Sequence, residues 1–164
     1  MLTREEQEEK FIHFVSCIEN LNDAWMILKQ IKRRKNNSLA YNAFQFALIE
    51  YSKPYKISYG KVKNKHLGLD DKYIPIEHVA LHKRILTLRD TFLAHSDLTI
   101  KDAQLYVTNN SWGKSASIVQ NVINAAVEYS KIDEILDLIE KTLMKMYEKE
   151  KVLKADLRPN SRNR

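Results

Sequence analysis

Apolar residues recur over the first 34 residues at alternating steps of three and four: Phe11, Phe14, Ile18, Leu21, Trp25 and Leu28. That spacing keeps them on one face of an α-helix, and it predicts a long bundle-type helix from about residue 4 to 34. Thr3-Arg4-Glu5-Glu6 reads as the capping box that starts it, because hydroxyl and carboxylate can each satisfy an orphan amide. Asn20, Asn22 and Asp23 are mediocre helix formers and mark a candidate bend. The aromatic stripe is expected to be packed core rather than a ligand box, and His13, off the seam, is expected to be solvated. Lys32-Arg33-Arg34-Lys35 closes the helix, where cations complement the helix dipole or could meet phosphate.

Asn36-Asn37-Ser38 is a turn with Ser38 as a candidate N-cap. A second helix follows, carrying Leu39, Ala43, Phe46, Ala47 and Ile49-Glu50 toward Tyr51, and Pro54 is expected to end it. Pro75 suits the first position of a third helix whose inner stripe is Leu81, Ile85, Leu88 and Phe92. Ala103 to Thr108 is β-prone, Asn109 to Gly113 is turn chemistry, and Ser115 to Val122 contains Ile and Val again, which together predict a small hairpin. Ser130 then precedes a last helix with Ile132, Leu136, Ile139, Leu143 and Met146 inward, Asp133 and Glu134 in its first turn, and an end near Lys151. The fold class is therefore all-α, an up-and-down bundle of four to five helices, with a small β-hairpin excursion between the last two. Residues 1–150 form a single helical domain, and 151–164, with Pro159 and three arginines from Asp156 on, read as a frayed basic tail.

Composition supports this picture. Three glycines and three prolines in 164 residues leave long helices uninterrupted. Hydrophobic residues at 44% and charged residues at 29% fit one globular core and argue against disorder. The net charge of +6 favours a polyanionic partner through attraction to phosphates and counterion release. The lone Cys17 has no partner for an intramolecular disulfide, which makes a reducing compartment the default. The acidic start lacks a signal-peptide core and no apolar run approaches the ~20 residues of a membrane span, so a cytoplasmic protein with no membrane partner is expected.

Three stretches carry candidate chemistry. Between Tyr51 and His66, Lys53, Lys56, Lys61, Lys63 and Lys65 alternate with Tyr51, Tyr55 and Tyr59. The plainer reading is a solvated loop whose tyrosines pack on the bundle. The sharper one is an RNA-binding surface, with lysines tracking phosphates and Tyr55 and Tyr59 stacking on unpaired bases. His78 and His82 lie four apart, yet Glu77 precedes the first, which is not the His-Glu-x-x-His order, and no Cys is near. They are expected to be surface histidines, with no metal and no cofactor. Finally, Leu88 to Asp97 places Arg89, Asp90 and His95 at what reads as a helix end. Six residues at about 100° each set Arg89 and His95 about 240° apart on a continuous helix, so they would not share a face. From spacing alone, the expectation is a buried histidine at a helix end beside an arginine paired with a carboxylate.

The stretch Arg89-Asp90-Thr91-Phe92-Leu93-Ala94-His95 resembles the Arg-x4-6-His motif of the HEPN superfamily of all-α proteins. Its continuation Ala94-His95-Ser96-Asp97 looks most like the abortive-infection branch. The motif covers about ten residues, and the architectural likeness covers roughly residues 4 to 150. The hairpin departs from a minimal bundle. The resemblance implies a metal-independent endoribonuclease, usually a homodimer whose two motifs line one cleft, in a toxin–antitoxin or phage-defence system with a cognate antitoxin. It makes His95 the general acid/base, Arg89 the group that stabilises charge on the phosphorane-like transition state, and Asp90 the residue that orients them. Histidine exchanges protons near neutral pH and arginine offers a permanent forked charge, so the chemistry is reasonable. In a dimer, Arg89 of one subunit could act with His95 of the other.

Two other classes of function compete. The same fold could be a non-catalytic module holding RNA, a nucleotide or a protein partner. It could also be a helical dimerisation protein in which the polar cluster merely caps the third helix.

Overall fold

The first helix begins where the capping box places it. Thr3 Oγ1 accepts from the Glu6 amide at 3.2 Å while Glu6 Oε2 accepts from the Thr3 amide at 2.8 Å. In the computed structural model, which describes residues 2–34, 38–62, 64–66, 68–90, 104–119 and 128–157, this helix, α1, spans Arg4–Arg33. It is followed by α2 (Ala40–Ser52), α3 (Val79–Leu88), strands β1 (Gln104–Asn110) and β2 (Gly113–Val119), and α4 (Ile132–Ala155). The protein is mainly helical, with one two-stranded antiparallel hairpin, β1–β2, among the described residues.

The seam positions of α1 and α4 meet. Phe14, Ile18, Leu21 and Leu28 are buried on α1, and all five residues read as inward on the last helix are buried. The seam of α1 is completed by Cys17, Ala24 and Ile31. Trp25 is only half-buried and donates from Nε1 to Glu140 at 2.7 Å. The two helices run antiparallel: Lys32 pairs with Asp133 at 2.5 Å, Lys29 with Glu140 at 3.2 Å, and Asn22 bonds Tyr147 at 2.9 Å. The last helix continues past the expected end near Lys151, to Ala155.

Helix α2 corrects one expectation. Ser38 is not its cap; Leu39 holds that position with no side-chain cap bond. Its buried face is Ala40, Phe44, Ala47, Leu48 and Tyr51, whereas Leu39 and Phe46 are 62% and 52% exposed. Apolar residues lie nearly all round this helix, so periodicity could not choose the inner face. Pro54 does interrupt it, inside a single 3₁₀ turn at Lys53–Tyr55. Pro75 likewise precedes a 3₁₀ turn, Ile76–His78, that leads into α3.

Helix α3 buries Leu81, Ile85 and Leu88 as expected, and also His82 at 2% exposure, which is not the surface histidine that was expected. His82 Nδ1 bonds the Tyr51 hydroxyl at 2.8 Å, and Nε2 lies 3.5 Å from Asp71. His78 is half-buried, with Nε2 2.6 Å from Asp137. Phe92 lies outside the described residues. In the hairpin, Asn110 pairs with Gly113 across a two-residue loop, Ser111-Trp112. Gly113 has φ +121°, a conformation that only glycine adopts without strain.

Candidate functional site

After α2 the chain leaves the bundle and returns to it between Lys56 and His66. The excursion is closed by a bridge between Ser58 and His66, whose backbone groups exchange hydrogen bonds at 2.8 and 3.2 Å. Glu9 of α1 fastens it from below. Its Oε2 accepts from the Val62 amide at 2.6 Å and its Oε1 meets His66 Nε2 at 2.8 Å. Gly60 sits directly over this pair; a Cβ there would collide with Glu9 Oε1 and stand 2.5 Å from His66 Nε2. Only glycine lets the backbone approach so closely.

One helical turn along from Glu9, His13 stacks on His66, with ring centroids 4.6 Å apart and 14° between planes. His13 is therefore not a solvated helix residue. Burial, and then the neighbouring His66, hold its imidazole below the ordinary value against the opposing pull of Glu9. Ser16 and Asn20 continue the same face of α1, and two adjoining cavities lie along it. The wider, about 590 Å³, is walled by Glu5, Glu8, Ile12, Tyr59, Lys61 and Val62. The narrower, about 280 Å³, is bordered by Lys53, Lys56 and Arg89. His13, Ser16 and Ser58 line both, so the two form one groove.

Arg89 and Asp90 stand at the narrow end, where the backbone at the end of α3 winds into a π turn. Arg89 Nη1 donates to Asp90 Oδ1 at 3.0 Å, and Lys56 Nζ to Asp90 Oδ2 at 2.5 Å. Burial works to raise the Asp90 carboxyl, but the bonds from Lys56 and Arg89 outweigh it and hold the carboxyl below its ordinary value. Arg89 Nε is buried without a hydrogen-bond partner among the described residues, as is the Ser58 hydroxyl. Lys53 pairs with the buried Glu50 at 2.5 Å. Among the described residues, three cations thus share two carboxylates, leaving the narrow end net positive and suited to an anion.

The expected site residues divide accordingly. Lys53, Lys56, Arg89, Tyr59 and Lys61 border the groove, and Lys65 is exposed. The Tyr55 hydroxyl is buried, and its ring packs edge-on against His82, with centroids 4.5 Å apart. His95 and Lys63 lie outside the described residues. Glu9 and His66 were not singled out in sequence, and His13 was read there only as a solvated residue. The one available signal was the four-residue spacing of Glu9 and His13, which puts them on a shared helix face away from the seam.

No protein-family model, curated protein or solved structure matches the chain. Among the described residues, no cluster of three or more His, Cys, Asp or Glu is placed to hold a metal ion. Nor is any helix among them long and apolar enough to cross a membrane.

Proposed function

We propose that the chain is a metal-independent endoribonuclease of the HEPN kind, built as an up-and-down helical bundle and active as a cytoplasmic homodimer. The observation that carries this reading is the place of Arg89. The first residue of the Arg-x5-His motif borders a cationic cavity with Lys53 and Lys56. There a guanidinium can hold the non-bridging oxygens of a phosphate and stabilise the charge that builds when the ribose 2′-oxygen attacks phosphorus. As that bond forms, the bond from phosphorus to the 5′-oxygen breaks. His95 takes the 2′-hydroxyl proton in one copy and supplies a proton to the leaving oxygen from the other. Asp90 aligns Arg89 through its 3.0 Å bond. A toxin–antitoxin or phage-defence setting, with a cognate antitoxin, follows from the same resemblance.

The test is cleavage of single-stranded RNA by the purified chain in EDTA. His95→Ala is expected to lower the rate by about 10²–10⁴-fold while the helical circular dichroism is kept. Full activity in a folded His95→Ala protein removes His95 from the mechanism.

One observation favours a second reading, a non-catalytic module that holds RNA, a nucleotide or a protein partner. Arg89 is already tied to Asp90, and Asp90 to Lys56, an arrangement that also serves purely to join the end of α3 to the loop after α2. That reading predicts salt-dependent RNA binding with no cleavage.

A further inference from the structure

We infer that the groove along α1 is a nucleotide site, in which the wide cavity takes one unpaired base and the narrow cavity takes the adjoining phosphate. The inference rests on the RNA reading above and adds to it a base preference and an orientation of base and phosphate along the groove.

The charges set the orientation. Glu5, Glu8 and Glu9 surround the wide end, with Lys61 the only lysine or arginine lining it among the described residues, so a phosphate is repelled there. Lys53, Lys56 and Arg89 attract it at the narrow end. Between the two ends stand His13, Ser16 and Ser58, which line both cavities, where a ribose joining base to phosphate would lie.

The wide end suits a base in size and surface. About 590 Å³ is within the range of small-molecule pockets. Large apolar side chains are left open at its wall: Ile12 at 63% exposed, Tyr59 at 77% and Val62 at 46%. Those surfaces, together with the stacked His13–His66 pair, match the apolar face of a heterocycle. An imidazole held below its ordinary pKa stays neutral near pH 7 and adds no charge to that platform. The pocket is also braced rather than loose, since Glu9 holds both His66 and the Val62 amide.

The rim selects among bases. Carboxylates accept from exocyclic amino groups, as in acidic side chains reading cytosine N4. Glu5 and Glu8 therefore favour adenine or cytosine over uracil, which carries no amino group. Glu8 shares its charge with Arg4 at 2.7 Å, which leaves Glu5 the stronger acceptor.

The experiment measures binding of 2′-O-methyl hexanucleotides of adenine, cytosine and uracil, which cannot be cleaved, to the full chain by fluorescence anisotropy, with adenosine 5′-monophosphate as a separate probe. The adenine or cytosine hexamer is expected to bind roughly tenfold more tightly than uracil. A Glu5→Ala/Glu8→Ala double variant should lose that preference, whereas His13→Ala/Tyr59→Ala, which removes the stacking surface, and Gly60→Ala, which displaces Glu9 from His66, should weaken the binding itself. Lys56→Ala should weaken all three hexamers alike and flatten the salt dependence. Equal affinity of the three hexamers for the unaltered protein overturns the base pocket, whether or not the protein cleaves RNA. A base preference in a protein that never cleaves RNA keeps the pocket and removes the enzyme. Binding of the monophosphate without the hexamers also keeps the pocket and makes a free nucleotide its ligand.

Discussion

Lys56 and Asp90 stand 2.5 Å apart and join the loop after α2 to the end of α3, beside the arginine of the Arg-x5-His motif. Their side chains are 33% and 45% exposed, so the pair adds little to stability, about 0–1 kcal/mol. Asp90→Asn should therefore leave the urea midpoint nearly unchanged. If Asp90 positions Arg89 for chemistry, the same change should lower kcat for RNA cleavage by more than tenfold, and a stability loss above about 1 kcal/mol would mark the pair as structural instead.

Tyr51 and His82 form a buried polar contact that should govern the pH dependence of stability. Burial lowers the His82 pKa from 6.5; Asp71 opposes this, Lys83 adds to it, and Tyr51 and Tyr55 pack against the ring. A histidine with a depressed native pKa binds protons more readily in the unfolded chain. Its contribution is thus complete above pH 6.5 and is lost as pH falls from there toward the lower native pKa. His13 is shifted the same way and adds to the slope. Denaturation followed between pH 5 and 8 should show stability falling on the acid side, and His82→Phe should reduce that slope. Tyr51→Phe should cost about 1–3 kcal/mol by leaving the His82 nitrogen unpaired.

Core truncations should separate residues that look equivalent in sequence. Ile139→Ala, at a fully buried position of α4, is expected to cost about 2–5 kcal/mol. Phe46→Ala, at 52% exposure, should change stability by no more than about 0.5 kcal/mol. Thermal melts of the two variants check this, and a large loss at Phe46 would mean that another surface covers it.

Cys17 should be chemically quiet. It is 4% exposed, and burial pushes its thiol from 9.0 up to about 11. That shift leaves about a hundredfold less thiolate at a given pH. Alkylation by iodoacetamide at pH 8 should be slow in the folded protein and should accelerate sharply in denaturant. Fast labelling of the native state would place Cys17 in open contact with the groove.

The parts legible in sequence are those decided by local pattern. Helices α1 and α4 carry narrow apolar seams over many turns, so their inner residues could be read directly, as could the capping box at Thr3 and the hairpin around Ser111-Trp112. Where the pattern was ambiguous it misled. Helix α2 is apolar on most sides, so Phe44 and Phe46 could be ranked only by their neighbours in space. The burial of Tyr51 and His82 was hidden because each polar group is compensated by the other across two helices, Tyr51 on α2 and His82 on α3.

The same division separates the site from its motif. Arg89, Asp90 and the cationic loop were visible as residue types, because charge and spacing are written in one dimension. The groove was not. Glu9 and His66 are 57 residues apart, and their contact, the His13 stack above it and the two cavities exist only once α1 packs beneath the loop. Helix and turn propensities act over a few residues and can be read along the chain. The pairing of a carboxylate with an imidazole across the fold depends on distance and burial, which only the packed structure decides.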